Sequence, residues 1–163
     1  MQQGEVIATI SASPGRRWLG IMCMATLGVL VITIGFFRPP GLGLTIFLLV
    51  IGAASLWAAT AMQRATAHTI ELTATELRDT SGEVLAELEN IQSIDRGVFA
   101  FKPSNGFLLR LKQPATRLWR PGLWWRFGRQ VGVGGMTPGP QTKFVAEYIG
   151  KYIAQRDTTK SKN

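Results

Sequence analysis

Two apolar stretches dominate the pattern of hydrophobic and polar positions. Trp18 to Phe37 reads WLGIMCMATLGVLVITIGFF, twenty residues without a charge, and Leu42 to Met62 reads LGLTIFLLVIGAASLWAATAM, equally uncharged. At the helical rise of about 1.5 Å per residue, the first stretch covers roughly 30 Å, the hydrocarbon thickness of a bilayer. Only Arg38, Pro39, Pro40 and Gly41 lie between them. The pattern therefore predicts a transmembrane helical hairpin over 16–64, with helices at 18–37 and 42–62. A helix pair that is apolar on every side can also fill the core of a large soluble protein. Here only about 120 residues lie outside the stretches, too few to surround both.

Before the hairpin, residues 1–15 carry an alternation of Val6, Ala8 and Ile10, which fits either a strand added to a neighbouring sheet or a loose tail. After Arg64 the period changes from helical to alternating. HTIELTATELR, 68–78, sets Ile70, Leu72 and Ala74 on one face, DTSG at 79–82 is turn chemistry, and EVLAELE at 83–89 reads as the returning strand. NIQSIDR supplies Ile91 and Ile94 as anchors in a strand or a connecting turn, and GVFAFK at 97–102 is a further strand. Asn105-Gly106 marks a hairpin into FLLRLK, where Phe107, Leu109 and Leu111 form a core face. QPATRLWRP, 113–121, reads as a connection broken by prolines, and GLWWRFGRQVGVGG as a strand or strand pair with glycines for bends or close approach. The last element is a helix over 138–155. Thr137 stands at its cap, Pro138 at its first position, and Phe144, Val145, Tyr148, Ile149, Tyr152 and Ile153 along one face, with Glu147 and Lys151 four apart. Residues 157–163, DTTKSKN, read as a disordered tail, so the domain after the anchor spans 68–156.

Small residues within the apolar stretches indicate where the helices meet. Ala54 with Ala58, and Ser55 with Ala59, stand four apart, and Gly28 offers a flat place on the first helix. Neither stretch contains Asp, Glu, Lys, Arg or His, which removes the usual signature of an ion path or transport site. Arg16 and Arg17 precede the first helix and Arg64 follows the second, against Arg38 alone in the turn. This asymmetry predicts both termini in the cytoplasm, in a multi-pass protein suited to a bacterial inner membrane. The first apolar run is longer than a signal-peptide core and is followed at once by a second, so it is expected to be retained. The one cysteine, Cys23, lies inside it as a small apolar filler.

Antiparallel hairpins, further β structure and a terminal amphipathic helix predict an α+β membrane protein, the helix covering one face of a small antiparallel β-barrel or curved sheet. ELTATELRD leading into a turn, IQSIDRG, and TPGPQTKFVAEYIGKYI together resemble the bacterial pleckstrin-homology-like domains that follow paired transmembrane helices. The resemblance covers roughly 18–155 and rests on organisation. It implies a partly open barrel capped by a helix, used for binding or assembly and not for catalysis. About six strands can be placed where such a barrel has seven, and no head-group site can be carried over.

The formal net charge is +8, and a bilayer with anionic lipid attracts it as readily as nucleic acid does. The charge is segregated: Glu71, Glu76, Asp79, Glu83, Glu87, Glu89 and Asp95 precede Arg96, Lys102, Arg110, Lys112, Arg117, Arg120, Arg126 and Arg129. Pairing with the acidic strands, contact with anionic lipid, and contact with an acidic protein are all open to these bases. LWRPGLWWRF mixes Trp119, Trp124, Trp125 and Phe127 with Arg117, Arg120 and Arg126, a composition suited to the head-group layer. Arg117, Trp119, Arg120, Trp124 and Arg126 are therefore the candidate membrane or partner contacts. Core filling by alternate aromatics, Trp125 and Phe127 among them, is the competing reading. Parts for catalysis are few. His68 is the one histidine, no soluble cysteine exists, and GRQVGVGG is not followed by the GK[ST] of a phosphate loop. No catalytic residue, metal site, cofactor or nucleic-acid partner is expected. The expected function is a non-catalytic membrane-anchored binding or assembly module, an accessory protein contacting membrane lipid, another membrane protein or itself. A small membrane enzyme with an interfacial polar site and a self-associating envelope scaffold are the alternatives.

Overall fold

A computed structural model describes residues 5–38, 40–97 and 103–161. Two helices, α1 (Pro14–Phe37) and α2 (Leu42–Ala65), form the hairpin. Both are long and apolar enough to cross a membrane, and only 17% and 11% of their most apolar windows are buried inside the protein. α1 starts four residues before the apolar run because Pro14 stands at its first turn, where a missing N–H costs nothing.

The seam between them is built on a seven-residue spacing. Ile21, Gly28 and Gly35 are buried on α1, and Gly52 and Ala59 on α2. Gly28 and Gly52 face each other so closely that a Cβ added to either would lie 3.0 Å from the other's carbonyl oxygen. Gly28 and Ala59 thus stand where the small-residue pattern placed them, while Ser55 and Ala58 are half-buried beside the seam. Ala54 is exposed. It lies two residues beyond Gly52, about 200° round the helix, so it faces away from α1.

Seven strands follow the α+β layout among the described residues. The N-terminal segment does supply a strand, β1 (Ala8–Ile10), antiparallel to β2 (Ile70–Leu72). β3 (Glu76–Asp79) and β4 (Val84–Glu87) complete a sheet in the order β1-β2-β3-β4. The stretch 68–78 is therefore two strands and not one. Thr73, almost fully buried, accepts from the Glu76 amide at 3.1 Å and donates to the Glu76 carbonyl at 3.0 Å, which turns the chain at Thr73-Ala74-Thr75 and leaves Ala74 exposed. After a single 3-10 turn at Leu88–Asn90, β5 (Ile91–Asp95), β6 (Phe107–Arg120) and β7 (Trp124–Val133) form a second antiparallel sheet. The two sheets do not join into a closed barrel among the described residues. The strand expected over 97–102 falls largely outside those residues.

The connection expected at 113–121 is instead the second half of β6. Pro114 is accommodated because the register slips between Arg110 and Ala115, where no ladder N–H is required of it. β6 and β7 therefore make one long hairpin. Its first half carries the core residues Phe107, Leu109, Leu111, Val131 and Val133, and its second half reaches back to β4.

α3 (Gly139–Ser161) covers the core with Val145, Ala146 and Ile149, flanked by Tyr148, Tyr152 and Ile153. Phe144, expected on that face, is 55% exposed, and Ala146 takes the place beside Val145. Thr137 makes no cap: its hydroxyl is buried without a hydrogen-bond partner among the described residues, and the helix opens at Gly139. Glu147 pairs with Arg96 at 4.0 Å, and no Glu147–Lys151 ion pair forms among the described residues. The helix also continues through 157–161, expected as disordered. Arg156 ties it down by donating to the carbonyls of Ile91 (2.8 Å), Glu89 (3.3 Å) and Leu88 (3.4 Å), and no helix breaker follows.

The hairpin and the β domain are keyed together at one end. The Ser13 amide donates to the Met136 carbonyl at 2.7 Å and Arg16 to the Thr137 carbonyl at 3.3 Å. Gly20 on α1 lies against the Met136 methyl so tightly that a Cβ there would overlap it. Gly122, in the β6–β7 turn, packs on Thr66 at the end of α2, where an added Cβ would lie 3.1 Å from the Thr66 methyl. The β6–β7 turn and the segment after β7 thus sit directly on the base of the helices.

Gly52→Val drives two methyls into the α1 backbone and is expected to lower stability by about 1–3 kcal/mol. Ala54→Val, on the open side of the same helix, is expected to leave the midpoint unchanged. Thermal melts of the two variants in one detergent check the seam.

Candidate functional site

The candidate contact residues all lie on the second half of the β6–β7 hairpin, and strand pairing sorts them onto two faces. Arg120 stands opposite Trp124, Leu118 opposite Arg126, and Trp119 opposite Trp125. Directly opposed residues share a face and successive residues alternate, so Trp124 and Arg126 point one way and Trp119, Trp125 and Phe127 the other.

The inner face is a buried polar brace. Asp79, at the end of β3, is 1% exposed. Its Oδ1 accepts from the Ser81 amide at 2.9 Å, the Glu83 amide at 3.2 Å and the Ser81 hydroxyl, so the DTSG turn is closed by its own aspartate. Its Oδ2 accepts from the Trp124 indole N–H at 3.3 Å and lies 3.9 Å from Arg120 Nε. Trp124 itself is 1% exposed. Arg126, 5% exposed, stands 5.9 Å from the Trp124 ring centroid and spreads its guanidinium over two strands. It donates to the Thr116 carbonyl at 2.7 Å, the Thr116 hydroxyl at 2.9 Å, Glu83 at 2.8 Å and the Val84 carbonyl. One charged group thereby bonds β4 to β6 across the gap between the sheets, a use for which the planar five-donor fork of arginine is suited.

Trp124 and Arg126 are therefore corrected from contact residues to interior ones. In a stretch where seven of the eleven residues from 117 to 127 are basic or aromatic, parity decides which set is buried, and a one-residue shift exchanges the faces. Arg120 is intermediate, its side chain 34% exposed above Asp79. Arg117 and Trp119 remain on the surface, Trp119 at 54% exposure. Sequence reasoning missed Asp79, Glu83 and Thr116 as the partners inside. The signal for Asp79 was its place at the head of a four-residue turn, where aspartate bonds to its own backbone.

The outer face gathers Trp119, Trp125 and Phe127, with Phe127 48% exposed and the Trp125 and Phe127 ring centroids 5.5 Å apart. The Trp125 ring lies over Gly132 in such close contact that any Cβ at 132 would overlap it, which accounts for one glycine of GRQVGVGG. Another, Gly128, has φ +59° where the hairpin changes register, a conformation that glycine adopts without strain. Arg117 flanks the aromatics, and Arg129 follows the Gly128 bend; both are exposed and without an ion pair among the described residues.

Of the other expected candidates, His68 lies 3.4 Å from the Thr80 hydroxyl at the domain edge. No group of three or more His, Cys, Asp and Glu side chains is gathered for a metal ion among the described residues. Asp79 has its oxygens occupied by donors from its own turn and from Trp124, which suits a structural aspartate. No protein-family model, curated protein or solved structure matches the chain.

Arg126→Lys keeps the charge but offers one nitrogen to acceptors on two strands. It is expected to destabilise the domain by about 1–3 kcal/mol, whereas Arg117→Lys leaves the melt unchanged. Trp124→Phe, which strips the indole donor from Asp79, is expected to cost a similar 1–3 kcal/mol. Near-ultraviolet circular dichroism during thermal unfolding reports each.

Proposed function

We propose that this chain is a non-catalytic, membrane-anchored binding or assembly module, an accessory protein of a bacterial inner membrane. The observation that carries the reading is the uncovered apolar sleeve of the hairpin. Leu19, Val29, Phe36, Phe37, Leu42 and Val50 are all more than half exposed, and the rest of the protein covers almost none of the two helices. In water such a surface is a liability, while in hydrocarbon it costs nothing. This argues against the alternative of core helices in a soluble fold, since core helices are mostly buried.

The keyed end supports a cytoplasmic placement of the β domain. Arg16, Arg17 and Arg64 flank that end and Arg38 alone the other, so the positive-inside tendency puts the domain and both termini on the cytoplasmic side. Seven described strands followed by a covering helix, with β1 supplied from before the hairpin, are compatible with a pleckstrin-homology-like plan left partly open. A domain of this kind, whose polar interior is committed to bracing, works by presenting surfaces. Self-association is the second reading, favoured by one observation: Ala54 and its neighbour Ala53 are exposed on the side of α2 away from the seam, free to meet another copy.

Affinity capture of the intact protein from native nanodiscs tests the accessory reading. A second membrane protein in stoichiometric amount is the expected result. Recovery of the protein alone would contradict it, and recovery only as an oligomer of itself would transfer the conclusion to self-assembly.

A further inference from the structure

The geometry points to a second membrane contact, in which the outer face of the β6–β7 hairpin, formed by Trp119, Trp125 and Phe127 with Arg117, lies in the head-group layer of anionic lipid. This deepens the proposed function and rests on the hairpin spanning a bilayer.

Position is the first ground. The β6–β7 turn touches the end of α2 through Gly122 and Thr66. Trp119 is three residues from Gly122, at most about 10 Å along an extended strand. On α1, Gly20 meets Met136 at the same junction, and Trp18, two residues away, is 58% exposed. Trp18 and Trp119 thus project from two different elements beside one helix base. That is the level at which tryptophan concentrates in membrane proteins, its ring in the apolar boundary and its N–H toward the head groups.

Composition of the face is the second ground. The same strands bury Trp124 and Arg126 on the inner side, while on the outer side two aromatic residues are about half exposed. A water-facing strand pair ordinarily shows the reverse. Charge is the third. From Arg96 to Arg129 the chain holds no acidic residue. Arg120 and Arg126 are committed to Asp79 and Glu83, whereas Arg117 beside the aromatics, and the exposed Arg129 after the Gly128 bend, have no ion pair among the described residues. Anionic head groups complement them. A protein surface would need acidic groups to match, and the fixed tether to a bilayer makes lipid the occupant always within reach.

Site-directed fluorescence on the full-length protein tests this. In a Cys23→Ala background, single cysteines at Trp18, Trp119, Phe127 or Lys143 carry a bimane probe. The variants are placed in nanodiscs of equimolar phosphatidylethanolamine and phosphatidylglycerol doped with a head-group spin-labelled lipid. Expected is strong quenching at 18, 119 and 127 and none at 143, an exposed site on α3. Adding Arg117→Glu with Arg129→Glu, or replacing the anionic lipid with phosphatidylcholine, is expected to remove most of the quenching at 119 and 127 while leaving 18 unchanged. Quenching at 18 with none at 119 or 127 would overturn the inference and leave the spanning hairpin standing, as for a face covered by protein. Absence of quenching at 18 as well would overturn the membrane reading itself. Quenching at 119 and 127 that ignores both charge reversal and lipid charge would contradict the anionic part.

Discussion

Everything in this molecule depends on where forty-odd uncharged residues can be put. α1 and α2 satisfy their own backbone hydrogen bonds and pack on each other through Gly28 and Gly52, yet most of their side-chain surface faces outward. Helices that bury so little of themselves require an apolar surrounding from elsewhere, and the β domain covers little of them. A bilayer meets that requirement directly. With the sleeve placed there, the close fit of Gly20 on Met136 and of Gly122 on Thr66 keeps the β domain next to the helix base.

The second constraint lies inside the domain. Two small sheets that do not join into a barrel among the described residues are tied to each other by Arg126, which reaches β4 and β6 at once and lies over Trp124. A buried guanidinium is costly unless its donors are all used. Here its acceptors are two backbone carbonyls, a hydroxyl and a carboxylate. The consequence for function is an allocation of roles within a single ten-residue stretch. Trp124 and Arg126 stabilise the interior, and the residues that alternate with them, Trp119, Trp125 and Phe127, are left to meet whatever lies outside.

Much of the architecture was legible in the chain. The uncharged runs, the Asn105-Gly106 turn, the Phe107-Leu109-Leu111 face and Gly28 in the helix seam all follow from local chemistry that tertiary structure had no reason to override. What escaped was decided by parity and by distant partners. Trp124 and Trp119 are chemically alike, and only the register of β6 against β7 separates a core residue from a surface one. Ala54 looked equivalent to Ala59 until the heptad through Gly52 fixed which side of α2 meets α1. Pro114 suggested a break in the chain, but a slip in strand register absorbed it, and Arg156 extended α3 past the expected end through carbonyls more than sixty residues away in sequence. Local propensity cannot report such contacts.

The central claim is that the hairpin crosses a membrane twice and holds the β domain on the cytoplasmic side. Labelling with a membrane-impermeant maleimide tests it most directly, using Pro40→Cys in the helix turn and Gln155→Cys on α3, both exposed positions, in the Cys23→Ala background. In intact bacterial spheroplasts the account predicts labelling at 40 and none at 155 until the membrane is broken. Labelling of 155 from outside, or of both sites alike in intact spheroplasts, would contradict it.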